Sequence, residues 1–206
     1  MKSIQELKDE YDQLGKADYL AMIKFYESNV DSIDAIDIAI DNVHYDAKMH
    51  WKSEYGMSLV SAGYYSQSTT VLEDSISMFE NSPSIEPDKL YTINYFEHVL
   101  WNYGIALWEN KNIPKAKMLF ERLTKHYPDN EKYRAWLNGL KTQSLRKIAN
   151  IVALIGALLL IGEISVFKTI EWIPKIPLFI IEVLVILIYI FLELRIYMIN
   201  KKRKYA

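Results

Sequence analysis

Residues 100–128 read LWNYGIALWENKNIPKAKMLFERLTKHYP. Leu100 stands four positions before Gly104 and Tyr103 one before, while Ala116, Phe120 and Pro128 follow it. Apolar residues recur at helical spacing on both sides of Asn110-Lys111-Asn112-Ile113-Pro114, which is a break by composition. The stretch predicts two helices joined by a short turn. Small residues at 104 and 116 let the helices cross closely, and Phe120 fills the space between them. Pro128 stops the second helix, because proline lacks the N–H and disfavours helix in the residue before it.

With Gly63 set in the place of Gly104, part of the pattern returns. Phe79 and Pro87 then stand where Phe120 and Pro128 do, with Leu59 four before the glycine, Ala62 one before and Ser75 in the place of Ala116. A third copy has Tyr19, Ile23, Tyr26, Ala35 and Ala39 in corresponding places, without the Gly and the Pro. These residues resemble the tetratricopeptide repeat, a helix–turn–helix unit of about 34 residues. The resemblance covers about 16–130. The interval from Gly63 to Gly104 is longer than the family's and implies longer helices or extra loop, as at 88–96. The resemblance implies an all-α array of about three helix pairs, with 131–147 as a capping helix through Tyr133, Trp136, Leu137 and Leu140.

The rest of 1–147 also reads as helix, since long Val/Ile/Thr alternations and Asn-Gly or Asp-Gly turns are missing. Breaks are expected at 29–31, 81–88 and 126–130. A helix is predicted over Asp31–Val43, with Ile33, Ile36, Ile40 and Val43 on a buried face and Asp31, Asp34, Asp37 and Asp41 on a solvated one. Four acids in a stripe on a bare helix do not converge as a hard cation requires, so no metal site is expected.

Positions 148–199 have a different character. Two apolar runs, 148–167 and 176–199, flank the polar turn Lys168-Thr169-Ile170-Glu171-Trp172-Ile173-Pro174-Lys175. Each run is long enough as a helix to cover roughly 30 Å, the thickness of a bilayer core. The expectation is a transmembrane helical hairpin followed by a basic tail, 200–206. Lys141, Arg146 and Lys147 precede the first run, and Arg195, Lys201, Lys202, Arg203 and Lys204 close the second. By the positive-inside rule both termini are cytoplasmic and the turn lies outside, with Trp172 and Tyr197 at the interfaces. Such a two-span protein suits a bacterial inner membrane. No Pro interrupts 131–167, so the cap is expected to run on into the first span. Ala149, Ala153, Ala157 and Gly156 make a face of small residues on which the second span packs.

The division is then a cytosolic helical domain, 1–147, and the hairpin. Positions 1–90 carry 17 Asp and Glu against 7 Lys and Arg, whereas 91–147 carry 5 against 10. An acidic domain excludes general nucleic-acid binding, which needs a cationic footprint. There is no Cys, hence no disulfide or thiol chemistry. The stretch Met1–Glu10 lacks the apolar core of a signal peptide, so the domain is expected to remain on the side of synthesis.

Chemistry is sparse. The four His residues are never three or four apart, and no phosphate loop, nucleophile elbow or dinucleotide fingerprint occurs. No enzymatic activity, cofactor or metal is expected. The family resemblance implies that ligands lie against the first helix of each repeat. Inward positions by that register include Leu20, Lys24 and Glu27, then Met57, Val60, Tyr64 and Gln67, then His98, Trp101, Asn102, Ile105, Trp108 and Glu109. Lys24 and Asn102 match single positions of the carboxylate clamp that some such domains use, but Leu20 and Ser61 do not, so a chaperone-tail receptor is not expected. Tyr64, Gln67, His98, Trp101, Asn102, Ile105, Trp108 and Glu109 are the candidate protein-binding residues.

The expected function is a membrane-anchored adaptor or scaffold that binds a protein segment, or a subunit of a larger complex, at the bilayer. The competing expectation makes the hairpin the active part, as an oligomerising channel or transport accessory. It rests on Glu163 and Glu182, which interrupt the apolar runs close to the outer turn.

Overall fold

The structure is a computed structural model describing residues 1–15, 18–162 and 175–201. Among the described residues the fold is all-α, with no strand. The helices are α1 (Ile4–Asp12), α2 (Tyr19–Ser28), α3 (Val30–Asp34), α4 (Asn42–Ser61), α5 (Tyr65–Glu80), α6 (Asn94–Glu109), α7 (Ile113–His126), α8 (Glu131–Gly162) and α9 (Lys175–Lys201), with a 3-10 helix at Pro87–Thr92 between α5 and α6. They form two compact units, Met1–Tyr127 and Pro128–Ala206.

In the first unit α4 packs on α5, α5 on α6 and α6 on α7, while α2 lies against α4. Local chemistry sets the helix starts. Ser3 and Glu6 cap α1 reciprocally, each side chain taking the other residue's backbone N–H. Asp18 accepts from Ala21 N at 2.9 Å, and Asp41 from His44 N at 2.8 Å. The core at this end joins Leu7, Phe25, Tyr26, Ile33, Trp51, Tyr55 and Leu59. Phe25 meets Trp51 edge-on at 6.0 Å, and Tyr26 stacks on Tyr55 at 4.1 Å with parallel rings. Fully burying one such large side chain is worth about 1.5–3 kcal/mol.

The pairs α4–α5 and α6–α7 share two local features, a crossing glycine and a left-handed cap, with Gly56 and Gly63 in the places of Gly104 and Lys111. The Gly63 backbone is left-handed (φ 84°), and so is that of Lys111 (φ 61°). Tyr64 N donates to Leu59 O at 2.8 Å and Gly63 N to Val60 O at 3.0 Å; Asn112 N donates to Leu107 O at 2.9 Å and Lys111 N to Trp108 O at 2.9 Å. Both ends are Schellman caps, which satisfy the last carbonyls of α4 and α6 in the same way. The same alignment carries Gly56 onto Gly104. A Cβ on Gly56 would stand 2.6 Å from Leu72 Cδ2, and one on Gly104 would stand 2.9 Å from Phe120 Cζ. Ser68 and Ala116, which follow these glycines at the same interval, are both fully buried.

This corrects the expected register. Gly104, Ala116 and Phe120 meet as their spacing implies, but Gly63 is a turn residue and not a crossing point. The crossing glycine of the earlier pair is Gly56. Ala35 and Ala39 lie in turns, so the third copy has no second helix. The helix expected over Asp31–Val43 is also not formed. α3 stops after Asp34, Asp41 caps α4, and Ile40 and Val43 are exposed. The Asp residues at 37 and 41 accept backbone N–H groups from Ala39 and His44, a local pairing that competes with helix. The expected breaks at 29–31, 81–88, 110–114 and 126–130 all fall at or between helix ends.

In the second unit α8 is unbroken from Glu131 to Gly162, so the segment read as a cap and the start of the first apolar run are one helix. It is long and apolar enough to cross a membrane. α8 and α9 pack antiparallel: Ala149 is buried with Leu192 and Ile196 beside Leu145 and Val152, and Gly156 meets Val185. The inward positions are 145, 149, 152, 156 and 159 on α8 and 182, 185, 192 and 196 on α9. On α8 the steps alternate between four and three, as in a heptad pattern, whereas on α9 they are three, seven and four, with Tyr189 exposed between Val185 and Leu192. Ala149 and Gly156 are on the seam between the helices, whereas Ala153 and Ala157 are exposed, so the small-residue face is narrower than expected.

Candidate functional site

A cleft of about 580 Å³ opens in the first unit. Tyr11, Asp12, Leu14 and Gly15 line it from the end of α1, Asp18, Tyr19 and Met22 from the start of α2, and Glu54, Met57, Ser58 and Ser61 from α4. Asn102 of α6 closes one side. Three carboxylates and two tyrosines therefore share one concavity. Among the described residues no Lys or Arg lines it.

A polar network supports the cleft from behind. The Tyr11 hydroxyl and His50 Nε2 share a hydrogen bond of 3.0 Å, with the rings edge to face at 5.5 Å. Tyr95 of α6 approaches the His50 ring at 5.1 Å, and its hydroxyl donates to the His50 carbonyl oxygen at 3.4 Å. Burial, helped by the charges of Glu54 and Asp12, pushes the Tyr11 hydroxyl up to about 12. Burial and the Glu54 charge push Tyr95 up as well. Burial also holds the His50 imidazole below its ordinary value, against the pull of Glu54. The network is thus kept neutral at His50 and both tyrosines, with the negative charge at the rim. Sequence spacing does not single out Tyr11, His50, Glu54 or Tyr95, because they come from three helices. Their one signal is the helical step from His50 to Glu54, four apart on α4.

The sequence-derived binding residues are dispersed. Asn102 alone among them lines the cleft; its Nδ2 donates to His98 O at 2.8 Å. Tyr64 and Gln67 are not on the first helix of a pair. They lie in the α4–α5 turn and on α5, beside a shallow hollow of about 440 Å³ shared with Asn110. Gln67 Nε2 donates to the Tyr55 hydroxyl at 2.6 Å, which in turn donates to Glu27 at 3.1 Å. Trp101 stands edge-on to Phe120 at 5.7 Å and serves packing between α6 and α7. Trp108 is half-buried under the Lys111 ammonium at 5.6 Å. His98 is exposed, and Ile105 and Glu109 are half-buried.

Arg122 of α7 makes another ordered cluster. Its Nε donates to the Tyr91 hydroxyl at 2.5 Å and its Nη2 to Glu80 at 2.6 Å, with His126 stacked on Tyr91 at 3.4 Å. These contacts clamp the 3-10 helix between α5 and α7 and are structural in kind. No group of three His, Cys, Asp or Glu among the described residues is placed to hold a metal ion.

In the second unit Glu182 falls on the seam face of α9, one helical turn before Val185, and its Oε1 is buried. Glu163, the turn 168–174 and the tail after Lys201 lie outside the described residues. Outward from the seam the surface is apolar. Ile151, Leu154, Leu158 and Ile161 of α8 and Leu184, Leu187, Phe191 and Leu194 of α9 are each half or more exposed.

No family model, curated protein or solved structure matches this chain.

Proposed function

We propose that the chain is a membrane-anchored, tetratricopeptide-like adaptor whose helical unit docks a protein segment at the cytosolic surface. The observation that carries the reading is the contrast between its two surfaces. α8 from Ile148 onward and α9 turn bulky aliphatic side chains outward, an apolar surface of a size that water-soluble proteins rarely expose. The first unit instead offers a rimmed concavity built from α1, α2, α4 and α6, without a catalytic constellation among the described residues.

On this reading the hairpin spans the bilayer twice, with both termini cytoplasmic. A helical pair is suited to that role because it satisfies its own backbone groups in hydrocarbon. The repeated Schellman-capped pairs support the likeness to helical-repeat scaffolds, which present concave faces to extended partners. The pore-forming alternative would have an acid face a second copy, whereas Glu182 is on the seam within its own hairpin.

The test is co-purification from native membranes in mild detergent. Met57→Arg with Asn102→Arg fills the cleft from half-buried lining positions and should remove a stoichiometric partner while helix content stays unchanged. An identical set of co-purifying proteins for both chains would overturn the proposal. Extraction of the wild-type chain by alkaline carbonate would overturn the anchor.

A further inference from the structure

We infer that the cleft takes a basic protein segment, one that seats a Lys or Arg side chain between Tyr11 and Tyr19 with its charge toward Asp12, Asp18 and Glu54. The inference rests on the adaptor reading and specifies the partner's chemistry. It comes from the charge and shape of the lining together. Asp12, Asp18 and Glu54, from three different parts of the chain, line one concavity, and no Lys or Arg among the described residues lines it with them; Lys16, between the lining residues Gly15 and Asp18, lies outside the described residues. Three other acids of this unit have cations beside them: Glu73 pairs with Lys115 at 3.0 Å, Asp74 with Lys52 at 2.9 Å and Glu80 with Arg122 at 2.6 Å.

The rest of the lining suits a long cationic side chain. Leu14, Met22 and Met57 offer apolar surface to an aliphatic stem, and methionine adapts its shape to what it meets. Tyr19, exposed at the lining, offers a ring that attracts ammonium and guanidinium groups, and Tyr11 lines the cleft with its ring packed against Phe25, Trp51 and His50. Tyr11 is held in place from behind by His50, so its ring need not be ordered on binding. The volume of about 580 Å³ exceeds what one side chain fills, which favours a chain segment over a free amine. An acidic segment would meet three like charges.

The test uses the full chain in phosphatidylcholine nanodiscs, a bilayer without net charge. Three short fluorescent peptides serve as probes, with leucine alternating with lysine, glutamate or serine, at about 50 mM salt, where the Debye length exceeds roughly 10 Å. The lysine peptide should bind and the glutamate peptide should not. Asp12→Asn, Asp18→Asn and Glu54→Gln together should weaken the lysine peptide at least tenfold; asparagine at 18 still caps α2, so the fold is kept. Equal binding by the triple variant, or a glutamate or serine peptide bound as tightly as the lysine one, would overturn the inference. If the serine peptide binds and Met57→Arg abolishes it, the adaptor reading stands and the charge assignment falls. If no peptide binds and Met57→Arg leaves co-purifying proteins unchanged, both fall.

Discussion

Gly104 and Phe120 touch across the α6–α7 crossing so closely that a methyl group on the glycine would stand 2.9 Å from Phe120 Cζ. Phe120 is fully buried and braced by Trp101, so its ring cannot retreat. Alanine at 104 would gain about 1 kcal/mol of helix propensity, but overpacking costs about 1–3 kcal/mol. Gly104→Ala should therefore lower stability by roughly 1 kcal/mol, and Phe120→Leu should relieve most of that in the double variant. Gly56→Ala should cost more, because Leu72 Cδ2 at 2.6 Å and Val71 Cγ1 at 3.2 Å both crowd the site. Urea unfolding of the four variants, followed by tryptophan fluorescence, checks the order. A stabilised Gly104→Ala would show that the crossing is looser than drawn.

The paired turns make a prediction of opposite sign. Lys111 is in the left-handed region, where a side chain costs roughly 1–2 kcal/mol and glycine costs nothing. Its contact with the Trp108 ring, at 5.6 Å on the surface, returns part of that. Lys111→Gly should raise stability by about 0.5–1 kcal/mol, and Gly63→Ala should lower it by about 1 kcal/mol. Thermal melting of both variants decides it, since each change is confined to a cap. If Lys111→Gly melts lower than wild type, the cation–ring contact outweighs the backbone cost.

Most breaks between helices, and the two apolar runs, are legible because each is local; the helix expected over Asp31–Val43 is the exception, since the pairing of Asp37 and Asp41 with nearby backbone N–H groups competes with it. Asn-Ser-Pro at 81–83 and Pro114 announce their own breaks, and an unbroken apolar run needs no partner to be recognised. The repeat register was not local. Tyr-Gly-x-x-Leu at 55–59 and again at 103–107 carries the true alignment of the two pairs. Gly63 masked it, because a turn glycine and a crossing glycine read alike in sequence. The same slip moved Tyr64 and Gln67 onto the wrong helix. The cleft was illegible for another reason: its tyrosines and acids are gathered by α1, α2 and α4 meeting at one end, and no spacing rule links them.

His50 makes the first unit sensitive to mild acid. Burial favours its neutral form in the fold, so the unfolded chain takes up a proton at higher pH than the folded one. Stability is full above the ordinary histidine value of about 6.5 and declines as pH falls below it. The groups facing the ring, Tyr11 from α1, Tyr95 from α6 and Glu54 from α4, are two neutral phenols and one acid. The low-lying carboxylates Glu6, Glu10 and Asp41 lose their contributions in the same direction, but only in the carboxylate range. Urea midpoints compared at neutral and mildly acidic pH should fall for wild type and stay nearly level for His50→Gln. His126, depressed by partial burial, Lys125 and Arg122 but exposed on the surface, should matter little, so His126→Gln should follow wild type. A wild-type midpoint constant over this range would mean that His50 protonates without cost.

The α8–α9 seam can be tested by chemistry that the native chain lacks. There is no Cys, so an introduced pair has no competitor. A Cβ on Gly156 would stand 3.3 Å from Val185 Cγ1, close enough for side chains at the two positions to be bridged by a disulfide. Gly156→Cys with Val185→Cys should oxidise readily in membranes and block both thiols from maleimide labelling. Ala153→Cys with Val185→Cys should not, because Ala153 faces away from the seam. The Gly156–Val185 contact also fixes the depth at which the helices meet, and Tyr189 is exposed, so slipping the pair by one turn, to Gly156→Cys with Tyr189→Cys, should slow oxidation sharply. Equal oxidation of all three pairs would mean that α8 and α9 slide or rotate past each other, and the seam position of Glu182 would then lose its meaning. Selective oxidation of the first pair would leave Glu182 held against α8, the placement that a carboxylate within a bilayer needs if the anchor proposal holds.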